Sequence, residues 1–245
     1  MSDTPAETKP SFRSDVTVEL VKHAAGDSDV LWAARVSTAG EHSLEELTKD
    51  PERSKGLINF LMRDRHGSPF EHNSMTFFIS APIFVFREFM RHRVGWSYNE
   101  ESGRYRELQP VFYVPGQDRK LVQQGRPGKY EFVAGTEVQQ ALTERTLENS
   151  YIQAYEAYQE MLAAGVAREV ARAVLPVGLF SSMYATCNAR SLMHFLGLRT
   201  QHEQAKVPSF PQREIEMVGE RMEEHWATLM PLTHAAFNMN GRVAP

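Results

Sequence analysis

Apolar positions along the chain fall into blocks whose spacing predicts strands and helices in alternation. Val16-Thr-Val-Glu-Leu-Val21 alternates apolar and polar residues as a strand does. Helices are predicted over residues 29–37 and 51–65. The second opens on Pro51, places Leu57, Phe60 and Leu61 on one face and runs toward His66-Gly67. Residues 75–80 read as a second strand, and Pro82 is placed to open a helix carrying Ile83, Phe84, Phe86, Phe89 and Met90. Residues 136–164 give the longest helical pattern, with Tyr151, Tyr155 and Tyr158 at helical spacing and Gly165 as its stop. A short helix from Ala167 ends before Pro176, residues 180–186 read as a third strand and 189–199 as a helix. After the turn at Pro208 and Pro211, residues 212–230 form the last predicted helix.

Two stretches resist a periodic reading. Residues 1–14 are polar and predict a mobile tail, leaving residues 15–240 as a single domain. Residues 94–129 are punctuated by glycines and prolines, and an irregular stretch of that length in a compact domain is usually a functional loop. With no internal repeat and helices outweighing strands, the expected class is α/β (α+β): one helix-rich domain around a small central mixed or antiparallel sheet.

Composition narrows the function classes. The chain has 245 residues and a net charge of −4, which argues against nucleic acid or an anionic membrane surface as a partner. No apolar run approaches the roughly 20 residues of a membrane span, and no basic segment followed by an apolar one opens the chain, so the protein reads as cytoplasmic. The single cysteine, Cys187, leaves no disulfide framework or multi-cysteine zinc site. His66 and His72 flank Ser-Pro-Phe-Glu, a spacing better suited to local hydrogen bonding than to a metal, and no metal is expected. G-x-G-x-x-G, P-loop and H-E-x-x-H motifs are absent.

The basic residues carry the clearest chemical signal. Of 27, 20 are Arg and 7 are Lys, and Arg is the side chain for two-pronged recognition of phosphate and carboxylate. The segment from Arg87 to Arg106 holds five Arg, no Lys and three Glu. A helix opening at Pro82 puts Arg87 and Arg91 on one face and Glu88 and His92 on the next, with Arg93 where helix gives way to loop. The following loop offers the Ser102 hydroxyl, backbone N–H groups and the Arg104 fork to an anion. A solvated helix end with Glu–Arg pairs is the plainer alternative.

Arg91-His92-Arg93 followed by Ser102-Gly103-Arg104-Tyr105 closely resembles the signature of the flavin-dependent thymidylate synthases. Three more blocks resemble the family in the same order: His66-Gly-Ser-Pro-Phe-Glu-His72, the run from Ala167 to Pro176, and the run from Asn188 to Arg199. The resemblance spans about residues 19–230. It implies methylation of dUMP to dTMP, with 5,10-methylenetetrahydrofolate as one-carbon donor and NADPH as reductant through FAD. It also implies the family's fold, which binds FAD without a G-x-G-x-x-G turn, and a homotetramer with active sites at subunit interfaces.

Carried over by position, the resemblance assigns flavin contacts to Ser68, Arg91, His92, Arg93, Glu100, Asn188, Ala189, Arg190, His194 and His202. It assigns dUMP contacts to Glu88, Phe89, Met90, Arg91, Arg172 and Arg199, and to a loop of Glu100, Glu101, Ser102, Gly103 and Arg104 from another subunit. Arg199 matches the catalytic residue that polarises the uracil ring. The chain departs from the family in three places. Eight residues separate Arg93 from Ser102, one more than the commoner spacing, so Glu100 and Glu101 compete for one loop position. His194 stands where many members have Asn, and Glu203 rivals His202. Two readings outside the family are a nucleotide- or RNA-binding module built on the Arg-rich loop and a transferase using Cys187 as nucleophile. The first leaves Arg172 and Arg199 unexplained. The second needs a reactive thiol where the sequence suggests a small core residue.

Overall fold

A computed structural model of the chain describes residues 9–44, 50–126 and 129–245. Helices outweigh strands, as the pattern predicts. In chain order the elements are β1 (Ser11–Arg13), β2 (Thr17–Ala24), α1 (Asp27–Ala39), α2 (Pro51–Arg63), β3 (Ser74–Pro82), α3 (Ile83–Phe89), β4 (Trp96–Glu100), β5 (Val111–Tyr113), β6 (Val122–Arg126), β7 (Lys129–Val133), α4 (Glu137–Ala163), α5 (Arg168–Ala171), β8 (Phe180–Cys187), α6 (Ala189–Arg199), α7 (Arg213–Leu229) and α8 (Pro231–Met239). The chain divides into two compact units. One comprises Met1–Asp15, Ser80–Arg87 and Glu100–Ser182; the other comprises Val16–Ile79, Glu88–Asn99 and Met183–Pro245.

The first unit is built on α4, a 27-residue helix whose start and stop are both written locally. The Thr136 hydroxyl accepts from Gln139 N–H while the Gln139 side chain accepts from Thr136 N–H, a reciprocal cap. Gly165 takes a left-handed φ of 82° just past the end. Only one stripe of α4 is buried, and it carries Tyr151, Tyr155 and Tyr158. These pack with Leu108, Phe112, Val114, Ala171 and Leu179 into the unit's core, Phe112 stacking on Tyr151 at 4.8 Å. Gly178 is required beneath them, because a Cβ there would stand 2.3 Å from the Tyr151 hydroxyl.

The stretch expected to be irregular is only partly so. It contains β4, β5, β6 and the start of β7, with β6 and β7 forming an antiparallel hairpin. The predicted tail is shorter than residues 1–14, since Ser11–Arg13 pairs in parallel with Val111–Tyr113; its first eight residues lie outside those described. A three-residue strand carries too little alternation to announce itself, and its partner lies a hundred residues away.

The second unit holds most of a four-stranded sheet ordered β2-β3-β8-β4. Thr76 and Thr186 share a 2.9 Å hydroxyl hydrogen bond and Phe78 meets Tyr184 edge-on. Rising numbers on one strand thus meet falling numbers on the other, which makes β3 and β8 antiparallel neighbours. Met75, Phe77 and Ile79 from β3 and Met183, Ala185 and Cys187 from β8 are buried at alternate positions. On α2 the buried stripe is Ile58, Leu61 and Met62, whereas Phe60, predicted to face inward, is exposed and stacks on His66. The α2 helix stops at Arg63, two residues early, and Arg65 turns out with a φ of 65°. None of the helices among the described residues is long and apolar enough to cross a membrane.

Helix α8 was not anticipated, and its start is fixed from a distance. Met230 precedes it and offers no oxygen for a cap. The Asp27 carboxylate, from the first turn of α1, accepts instead from Leu232 N–H at 2.8 Å, Thr233 N–H at 2.9 Å and the Thr233 hydroxyl at 2.6 Å. An anion there also complements the helix dipole. Asp27→Ala is expected to cost about 1–2 kcal/mol and to lower the melting temperature by roughly 2–8 °C. A thermal melt followed by circular dichroism checks this; an unchanged midpoint would show that water caps α8 equally well.

Candidate active site

In the second unit the site begins where α3 ends. The helix opens one residue past Pro82, which closes β3, and it stops at Phe89, so the expected helical faces stop there too. Arg91 and His92 lie beyond the helix in a turn whose N–H groups donate to Glu88 O at 3.2 Å and Phe89 O at 3.0 Å. The stop follows from packing. Phe89 is fully buried against Phe195 at 4.5 Å, Trp96 at 5.4 Å and Tyr98 at 5.9 Å. The Tyr98 hydroxyl donates to the His92 carbonyl at 2.6 Å, tying the turn back onto β4. Met90 is half-buried, and Arg91 and Arg93 are exposed.

Arg199, the last residue of α6, reaches this turn. Its Nη1 donates to Glu88 Oε2 at 2.6 Å, its Nη2 lies 3.4 Å from the Glu88 carbonyl, and its Nε donates to His92 Nε2 at 3.1 Å. A guanidinium has only donors, so His92 Nε2 must accept and the imidazole is neutral with its proton on Nδ1. Burial first, then the charges of Arg199 and His194, push His92 down to about 4. The ion pair is largely sheltered, with side-chain exposures of 21% for Arg199 and 32% for Glu88.

Beside this pair lies a cleft of about 450 Å³. Residues 92–96 form one wall, the cap and first two turns of α6 supply Asn188, Arg190, Ser191 and His194, and Glu71 closes the edge. Asn188 caps α6 by accepting from Ser191 N–H at 2.9 Å, and the Ser191 hydroxyl donates to the Val94 carbonyl at 2.9 Å. Gly95 has a φ of 70°, and a Cβ there would sit 2.1 Å from the Ser191 hydroxyl, so the backbone can approach the helix only because it is glycine. Arg190 is held by the Glu71 carboxylate and by the Pro245 carbonyl at 2.6 Å. His194 borders the cleft, where partial desolvation, then the charges of Arg190 and Arg65, lower its pKa. A cleft lined by three Arg or His side chains besides His92, at the capped N-terminus of an 11-residue helix, suits an anionic, flat group such as a flavin nucleotide.

Of the residues expected to contact flavin, the cleft therefore gathers His92, Arg93, Asn188, Arg190 and His194. Ala189 is buried beneath it, its N–H donating to Asn73. Ser68 and His202 are exposed and do not line it; the His202 ring instead accepts from Gln204 N–H. Arg91 lies on the turn outside the cleft wall. Glu71, Trp96 and Ser191 also line the cleft, and the resemblance assigns none of them a flavin contact, although Glu71 stands inside the His66–His72 block. Tyr98 sits in the Arg-rich segment and carries only an aromatic signal. Among the described residues, no three His, Cys, Asp or Glu side chains come together as a metal site would require.

The first unit holds the residues expected to close over the nucleotide. Glu100 accepts from the Ser181 hydroxyl at 2.7 Å, and burial, against the pull of Ser181, raises its pKa. Glu101 N–H donates to the Ser182 carbonyl, and its carboxylate lies 3.9 Å from Arg106. The Ser102 carbonyl accepts from Tyr105 and Arg106 N–H groups, closing a tight turn, and its hydroxyl accepts from Arg104 N–H at 3.3 Å. Gly103 is buried against Arg172, where a Cβ would come within 3.2 Å of Arg172 Cδ and 2.8 Å of Leu108. The Arg104 fork, expected to face an anion, pairs at the surface with Glu169 at 3.0 Å. Cys187 is buried, and burial pushes its thiol far above the ordinary range, which leaves it unsuited to nucleophilic attack.

Comparison with known proteins shows the family. Residues 19–232 match the family described as thymidylate synthase complementing protein. The chain is 87% identical, over the whole of both chains, to a protein of Streptomyces avermitilis named flavin-dependent thymidylate synthase. It is 59% identical to one of that name from Tropheryma whipplei, over 96% of this chain and 98% of the relative. Among solved structures, the UMP/dUMP methylase PolB of Streptomyces cacaoi, bound with 5-Br dUMP, superposes with a TM-score of 0.91 at 56% identity, covering 96% of this chain and 99% of that one. Matched along its length in sequence and in fold, the chain belongs to the flavin-dependent thymidylate synthases.

Proposed function

We propose that this enzyme makes dTMP by reductive methylation of dUMP, with 5,10-methylenetetrahydrofolate donating the carbon and NADPH the reducing equivalents through FAD. The observation that carries the reading is the sheltered Arg199 guanidinium, aimed and held by Glu88 and neutral His92. A fixed positive charge of this kind stabilises negative charge as it develops on a uracil ring, without reorganisation during the reaction. FAD supplies the redox chemistry, which the protein's own side chains cannot. Arg93, Asn188, Arg190 and His194 are the residues that would hold it. Glu88 and Arg91 with Arg199 bind dUMP, and Arg172 with the loop from Glu100 to Arg104 closes over the nucleotide of a neighbouring subunit in a homotetramer. Residues 15–240 act as one catalytic domain in the cytoplasm.

A nucleoside monophosphate is nearly a dianion at neutral pH, and its phosphate suits Arg forks and the backbone amides of the Ser102 turn. The 5-Br dUMP bound to the PolB relative fits the same nucleotide class. His92 has to stay neutral for Arg199 to keep its third contact, and its low pKa secures that at any ordinary working pH.

Three outcomes test this. Arg199→Ala is expected to lower dTMP formation by about 10²–10³-fold, the scale of losing a charge-stabilising donor, while bound flavin, read from visible absorbance, is retained; equal loss of both would sink the assignment. Cys187→Ala should keep wild-type turnover, whereas an inactive but flavin-loaded variant would revive the thiol. The third concerns acid. His92 has its pKa depressed on folding, so the unfolded chain binds more protons between the ordinary imidazole value and about 4. Its contribution is present above that window and is lost as pH falls through it. NMR titration should find His92 protonating near 4, and a midpoint near the ordinary value would contradict the Arg199 contact.

A further inference from the structure

Behind the end of α6 lies a buried charge network that none of the flavin or dUMP assignments uses. After α8 the chain turns back through two successive left-handed residues, Gly241 with φ 76° and Arg242 with φ 54°. That conformation disfavours a side chain, yet position 242 carries a large one, and it is 1% exposed. Its guanidinium grips Glu223 two-pronged, Nη1 to Oε1 at 2.6 Å and Nη2 to Oε2 at 2.7 Å. Nη1 also donates to Asn238 Oδ1 at 2.7 Å, and Nη2 to Thr200 Oγ1 at 2.9 Å. His234 Nε2 meets the same Glu223 carboxylate at 2.8 Å, and the hydrogen bonds with Arg242 and His234 hold that carboxylate down to about 2 against its burial.

The contact with Thr200 gives the network a direction. Thr200 follows Arg199 and ends α6. Its hydroxyl has one proton, which goes to the Leu196 carbonyl at 2.8 Å, so toward Arg242 it can only accept. Side chain and backbone both lock this turn, because a Cβ at Gly197 would lie 3.0 Å from the Arg242 carbonyl. A buried ion pair is a poor source of stability when well-packed apolar residues of similar volume would serve, but its fork geometry fixes one arrangement. The strained backbone at residue 242 is spent on presenting that fork.

We propose that Arg242, acting through Thr200, is a positioning residue that fixes the last turn of α6 and so keeps the Arg199 guanidinium on Glu88 and His92. The inference rests on the role of Arg199 in the proposed reaction.

Thr200→Val removes the acceptor at nearly constant size, Thr200→Ser keeps it, and Arg242→Lys keeps a charge for Glu223 without the fork. In flavin-loaded enzyme, Thr200→Val and Arg242→Lys are expected to retain bound flavin and the KM for dUMP while kcat falls about fivefold, within the usual range for a residue that acts through another. Thr200→Ser should restore kcat. His92, titrated by NMR without substrate, should move upward in the two impaired variants as the neighbouring cation leaves it. Wild-type kcat with an unmoved His92 in Thr200→Val overturns the proposal. So does a kcat loss that Thr200→Ser shares in full or that follows loss of flavin. If Arg242→Lys does not fold, the Thr200 pair decides alone. A wild-type protein that forms no dTMP overturns the assigned reaction instead, and the His92 titration still reads the positioning.

Discussion

On the proposed reading Arg199 stabilises charge in a substrate, which requires a guanidinium sheltered from water and a partner that fixes it in place. The Arg199–Glu88 pair meets that requirement at 2.6 Å, and much of the second unit is arranged to bring its two halves together. Glu88 is presented because α3 stops one residue later at Phe89, and α3 stops because Phe89 is claimed by Trp96, Tyr98 and Phe195. Arg199 arrives because α6 starts at the Asn188 cap and runs 11 residues to the correct place. His92 completes the arrangement only as a neutral acceptor, and burial beside a cation keeps it neutral. A charge-assisted bond of this type is worth about 1.5–3 kcal/mol, a substantial share of the net stability of a domain.

The same logic explains why Arg outnumbers Lys so heavily in a chain of negative net charge. Arg190 is held by Glu71, Arg104 by Glu169, Arg199 by Glu88 and Arg242 by Glu223. These pairs differ in exposure and therefore in effect. The Arg104 pair is half in water and contributes little to stability. Arg242 is wholly enclosed and demands every one of its bonds. Lysine, with one compact charged head, cannot satisfy two carboxylate oxygens, an amide oxygen and a hydroxyl in one plane.

Legibility in the sequence followed the range of the interactions. The helix α4, with its Thr136 cap, tyrosine stripe and Gly165 stop, was readable because each signal is local. The helix α6 was predicted to the residue for the same reason. Strands β1 and β5 were missed because each has three residues and a partner far along the chain, and α3 was drawn too long because its end is set by tertiary aromatic packing. The site divides in the same way. His92, Arg93, Asn188, Arg190 and His194, all at motif positions, line one cleft, whereas Ser68 and His202 are exposed and not among its lining residues. Glu71, Ser191 and Tyr98 needed the fold, since their roles lie in what they touch. Arg242, about forty residues past Arg199, has no motif at all.

Cys187 has a practical consequence. Its thiol is shut into the end of β8 and kept protonated, so the folded chain presents no reactive sulfur to its surroundings. Any cysteine introduced on the surface would then be the sole point of attachment for a maleimide dye or spin label. The native sequence is in effect a cysteine-free background for distance measurements, on which the loop from Glu100 to Arg104 can be tagged and followed as nucleotide is added.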